Sequence, residues 1–232
     1  MVTVNDKTGD TVATHCPDIS RFAISEGELV DIVIAHGTGD NDGAHDLHHL
    51  RRVWHNCENI GAQCSPAPDW QVLSAAAFLH DLINVPKNSK ERSRASTLAA
   101  DAAVGALAKR EFPSSKLDGV WHAIHAHSFS AGFTPQSLEA CILQDADRMD
   151  ALGALGLART FYVAGQLGSQ LFDGDDLLAQ RRSLDDKVFA LDHFQTKLYG
   201  LLETMNTPAA KSLASARVAY MRDFVARLQS EM

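Results

Sequence analysis

At 232 residues, 45% of them hydrophobic, the chain is long enough to bury a substantial core as one compact unit. Its 29 Asp and Glu outnumber its 21 Lys and Arg, for a formal net charge of -8, so polymeric nucleic acid and anionic membrane surfaces are poor partners. No cationic and apolar leader opens the sequence, no later stretch has the apolar length that spans a bilayer, and the four cysteines form no CxxC pair; a cytoplasmic protein with reduced thiols is expected.

Residues 1–19 are polar, rich in Thr and Asp and without a period, and read as a lead-in with little core to offer. Beyond them the apolar spacing is repeatedly helical and no alternating run is bounded by hairpin signals, so the fold is predicted to be all-α. A first helix is expected near 25–36, closed by Gly37 and Gly39. The second, near 44–62, begins AHDLHHLRRVWH; Leu47, Leu50, Trp54 and Cys57 mark its buried stripe, His49 lies beside that stripe and His48 points further out. SPAPD separates it from a strongly apolar third helix near 69–83 that ends in His80-Asp81. Two adjacent ionisable groups there are expensive to bury without a partner. A divalent cation would compensate them, because an imidazole nitrogen and a carboxylate oxygen at neighbouring positions can converge on one ion. The plainer alternative is a helix end in which His80 caps carbonyls and Asp81 faces water.

Further helices are expected near 93–110, 115–127, 136–149 and 151–165, with Pro86, Pro113 and Pro135 as punctuation. The fifth carries WHAIHAHSFS, and the sixth carries LQDADRMD, where Ile142, Leu143, Ala146 and Met149 supply the core face and Asp145, Asp147 and Asp150 the carboxylates. Gly153 and Gly156 suit close helix packing better than phosphate cradling, since no strand precedes them. GSQLFDGDD at 168–176 reads as a loop, followed by two long helices near 184–204 and 208–230. The first of these would carry Asp185, Asp186, Lys187, His193 and Lys197, its acidic pair charging the helix N-terminus.

An early His, a His-Asp pair about thirty residues on and a late Asp inside an apolar helix make a mixed nitrogen and oxygen site with coordination positions left open. Asp46-x-x-His49-x-x-Arg52-Val53, then His80-Asp81, then Asp145-Ala-Asp147-Arg148 resembles the ordered signature of the HD-domain metal-dependent phosphohydrolases. A closer resemblance, through NVPKNSKERSRAS, HAIHAHSFS, QDADRMDALGALGLART, LFDGDD and LDDKVFALDHFQTKL, is to the single-domain bacterial YedJ-type subgroup. It implies one HD-domain helical bundle over 20–232, with a metal-site core near 44–150 and additional C-terminal helices over 151–232. It also implies His49, His80, Asp81 and Asp147 as ligands, favouring His49 over His48 and Asp147 over Asp145. The subgroup pattern matches His122 and His127 as residues near metal or substrate.

The expected activity is hydrolysis of a phosphate ester or anhydride by metal-activated water. The substrate class is a phosphorylated small molecule, most simply a (deoxy)nucleoside triphosphate or monophosphate; a nucleotide pyrophosphohydrolase activity is known among similar proteins. One divalent ion is expected, from among Mn, Mg, Fe, Ni, Co and Zn, while the extra histidines leave room for a second. Asp81, His127 and Asp150 are the acid and base candidates. Lys87, Arg92, Arg94 and Arg148, with His122 and His127, are the candidates for holding the substrate. Cyclic-nucleotide and (p)ppGpp hydrolysis are alternatives, disfavoured because no GYP element and no early acidic pair follows His80-Asp81. A non-catalytic nucleotide-binding regulator is the contrasting class, and oligomeric state, including a homodimer, stays open.

Overall fold

The computed structural model describes residues 22–37, 47–83, 85, 94–128 and 132–232. The 1–19 lead-in, Lys87 and Arg92 lie outside them. The helices are α1 (Glu26–Ala35), α2 (Leu47–Gly61), α3 (Trp70–Leu79), α4 (Ala95–Leu107), α5 (Leu117–His127), α6 (Leu138–Asp150), α7 (Gly153–Leu167) and α8 (Pro208–Ser230). Among the described residues there is no sheet, only an isolated bridge between Gln170 and Phe189, and no helix is long and apolar enough to cross a membrane.

Local chemistry starts these helices where the sequence places them. Ser25 and Glu28 form a reciprocal capping box on α1. Asp69, Ser137 and Thr207 accept from early backbone N–H groups of α3, α6 and α8, and Pro208 follows Thr207 where its missing N–H costs nothing.

Helix α3 is the axis of the fold. Every residue from Val72 to Leu79 is buried, and the helix packs against α1, α2, α4, α5 and α6. A helix apolar all round must be enclosed on all sides, and Ala75, Ala76 and Ala77 let the surrounding helices close in. The chain therefore delivers His80 and Asp81 to the centre of a ring formed by α2, α5 and α6.

The C-terminal part packs α7 on α8 and α8 on α6, and polar contacts pin it to the bundle. The carboxylate of Asp145, fully buried, accepts from Asn206 and from the backbone and hydroxyl of Thr207. Burial pushes the Asp145 carboxyl above its usual range, and these bonds oppose the shift. Arg217 donates to the Met149 carbonyl and to Asn56.

The helix expected at 184–204 does not form as one. Residues 184–191 form no helix and are mostly turn; a helical step at 192–193 then runs into a π turn at Phe194–Leu198 and a 3-10 turn at Tyr199–Thr204. The reason is competition for backbone groups: the Val188 carbonyl accepts from Gln170, while Ala190 and Leu191 donate to Gln170 and Leu171. Asp192, buried in mid-segment, holds the turn by accepting from Arg182 and the Asp185 backbone.

Candidate metal centre

His49 from α2, His80 and Asp81 from the end of α3, His127 from α5 and Asp147 from α6 meet at one point. His49 Nε2 is 3.5 Å from Asp147 Oδ1 and 3.9 Å from Asp81 Oδ2. His80 Nε2 is 3.7 Å from Asp81 Oδ2 and 4.0 Å from Asp147 Oδ1, and His127 Nε2 is 3.7 Å from Asp81 Oδ1. These separations are too long for hydrogen bonds. They match two ligands held about 2.0–2.2 Å from a common ion.

The opposite nitrogen of each ring is committed elsewhere. His80 Nδ1 donates to the Ala77 carbonyl at 2.8 Å and His127 Nδ1 to the Ile124 carbonyl at 2.5 Å. His49 Nδ1 donates to Asp150 Oδ2 at 2.8 Å. A carbonyl or carboxylate only accepts, so the proton sits on Nδ1 and the Nε2 lone pair faces the cluster. Burial lowers His80 to about 4, against the raising effect of Asp81, which keeps the ring neutral near pH 7. His80 Nε2 is buried without a hydrogen-bond partner among the described residues, an arrangement costly in a protein interior unless a cation completes it. The donor set fits a divalent metal, with His49, His80 and Asp147 within 4.8 Å of one another and His80, Asp81 and His127 likewise.

Other expected site residues are placed differently. Asp150, expected to carry a proton, has both oxygens occupied on the far side of His49, by Arg52 and Arg159 as well as His49. Burial opposes its ionisation, yet the His49 and Arg52 bonds hold it well below the usual carboxylate range. Arg148, expected to bind substrate, donates to the Thr204 carbonyl in the C-terminal part. His122 accepts from the Gln136 backbone N–H, and Arg94 stands exposed at the N-cap of α4. Asp145, the carboxylate set aside in favour of Asp147, accepts from Asn206 and Thr207.

Two residues that the sequence reading passed over as site residues are Arg52 and Arg159, which clamp Asp150 behind His49. Arg52 was visible three residues after His49 in the same motif, on the same face of α2. Arg159 carried no comparable local signal.

The HD-domain family model matches residues 46–152. A relative, YpgQ of Bacillus subtilis (strain 168), is 32% identical over 197 residues, covering 83% of this chain and 87% of its own length. The solved structure of Bacillus subtilis YpgQ in complex with ADP has a TM-score of 0.66 at 29% identity, over 89% of this chain and 95% of that one. A solved HD-superfamily hydrolase from Bacillus thuringiensis has a TM-score of 0.66 at 28% identity, over 88% and 96%.

Proposed function

The chain belongs to the HD-domain superfamily and has the fold of its hydrolases, and from that premise we propose that it is a metal-dependent phosphohydrolase acting on a nucleotide. The observation that carries this is His80 Nε2, buried and without a hydrogen-bond partner among the described residues, facing Asp81 and Asp147. His49, His80, Asp81 and Asp147 are the ligands. When bound, a divalent ion supplies two effects, lowering the pKa of a coordinated water and polarising a phosphoryl oxygen. YpgQ in complex with ADP supports a nucleotide as the ligand class.

The chain's own groups have separable tasks. Asp150 and the Ala77 carbonyl fix the His49 and His80 rings with Nε2 inward, so that ligand orientation is set before any substrate arrives. His127 Nε2, beside Asp81 Oδ1, is placed to accept a proton from the attacking water and return it to the leaving oxygen. The side chains of Asp81 and Asp147 are 29% and 31% exposed while those of His49 and His80 are 1% and 0%, so substrate approaches along the carboxylate edge.

Asp81→Ala tests the reading. Bound metal, measured by elemental analysis, and phosphate release from nucleotides are expected to fall together to background, with helix content by circular dichroism unchanged. Hydrolysis surviving in the variant would refute the mechanism.

A further inference from the structure

A cavity of about 550 Å³ lies between α7 and the 186–198 segment, within the size range of small-ligand sites. None of the five cluster residues lines it, but two of its lining residues are linked to them. Ala151, on its rim, follows Asp147 by four residues at the end of α6, and residues so spaced share a helix face one turn apart. Arg159, also in its wall, donates to the Asp150 oxygen that holds His49.

The opposite wall supplies Lys187, His193 and Lys197. Among the described residues neither lysine has an ion-pair partner. The one carboxylate in the wall, Asp186, is engaged by His193 Nδ1 at 2.8 Å and by the Thr196 hydroxyl at 3.0 Å. Two lysines beside one occupied carboxylate make a locally positive wall in a chain whose net charge is -8. Val163, Ala164 and Leu198 add an apolar strip. A basin that is cationic on one side and apolar on the other suits a ligand with separate phosphate and ring portions.

We propose that this cavity receives the part of the substrate lying away from the metal cluster, with Lys187 and Lys197 neutralising a second phosphate and the α7 strip packing against the base or sugar. The assignment rests on the phosphohydrolase reading and deepens it. One phosphate is held at the His and Asp cluster, the next reaches the lysines, and binding favours nucleotides with at least two phosphates over monophosphates. It gives the LDDKVFALDHFQTKL element a task that its sequence pattern alone left unassigned.

The test is calorimetric titration of the full-length, manganese-loaded protein with AMP and with the methylene analogue of ADP, which cannot be cleaved between its phosphates. Wild type is compared with the Lys187→Gln/Lys197→Gln double variant and with Lys211→Gln on α8 as a control. Loss of each charged contact is expected to weaken the ADP analogue roughly tenfold. The double variant should thus lose most of the preference for the analogue over AMP while keeping its manganese content, and Lys211→Gln should stay within about twofold of wild type. Unchanged affinity for the analogue, equal weakening of both ligands, or no binding by wild type at millimolar concentration would each overturn the assignment. Hydrolysis of nucleotides by wild type with any of those results leaves the catalytic reading standing. Lysine-dependent binding with no hydrolysis by wild type leaves the cavity and removes the catalytic reading.

Discussion

Asp150 is the residue on which the geometry of the cluster turns. Its Oδ2 accepts from His49, Arg52 and Arg159, and its Oδ1 from Arg52. Asp150→Asn keeps the size but replaces one acceptor oxygen by a donor NH₂ facing other donors, so the His49 ring loses its fixed tautomer. The expected outcome is a fall in metal affinity of about 10- to 100-fold, read by competition with a chromogenic chelator; affinity within twofold of wild type would show that His49 is held without it. The same residue marks the limit of sequence reading at this scale. His80-Asp81 was legible because two ionisable groups at the end of an apolar helix demand a partner. Choosing Asp147 over Asp145 needed the family spacing, because what occupies Asp145 is Asn206 and Thr207, some sixty residues away in sequence. Among the histidines of α5, only His127 enters the cluster; His122 and His125 are three apart and share another face, where His125 contacts Trp121 and Phe133.

At the scale of elements, the α6–α7 junction decides how the cavity sits against the cluster. Gly153 adopts a positive φ of 74°, and a Cβ on Gly156 would lie 2.1 Å from the Ala151 carbonyl oxygen. Neither helix can yield locally, because the clash is with backbone. Gly156→Ala is therefore expected to destabilise by about 1–3 kcal/mol, seen as a fall in Tm of roughly 3–10 °C in a thermal scan. An unchanged Tm would mean that the junction is more compliant than this packing implies. Sequence reading foresaw close packing at these glycines, whereas the caps that start α1, α3, α6 and α8, Ser25, Asp69, Ser137 and Thr207, are identified only by their hydrogen bonds. It failed at 184–191 for a physical reason. Leu184, Val188 and Leu191 have helical spacing, but Gln170 and Leu171 capture the backbone groups that a helix would use, and Arg182 reaches across to Asp192. Those are tertiary partners, invisible to periodicity.

For the molecule as a whole, the segment that matches the family and the segment that folds need not coincide. The match ends at residue 152, yet the hydrophobic core runs on continuously through Leu191, Phe194, Leu198, Leu201, Ala214 and Met221. Five groups of the bundle also take partners from beyond the match: Asp145 from Asn206 and Thr207, Arg148 from Thr204, Asn56 and the Met149 carbonyl from Arg217, and Asp150 in part from Arg159. Cutting the chain after Leu152 strips these partners and uncovers the face of α6 on which α8 rests. The Asp145 carboxylate would lose its hydrogen-bond donors and the Asp150 clamp one of its two arginines, and the cost of partnerless polar groups in a core is of order 1–3 kcal/mol each. Marginal net stability cannot absorb several such losses together with the lost apolar burial. The truncated chain is expected to show no cooperative unfolding transition and to bind a hydrophobic dye, while the full chain melts sharply. A truncated protein that melts cooperatively and binds metal as the full chain does would mean that residues 153–232 serve the ligand cavity alone; loss of both would mean that the cavity wall and the metal centre are parts of one folding unit.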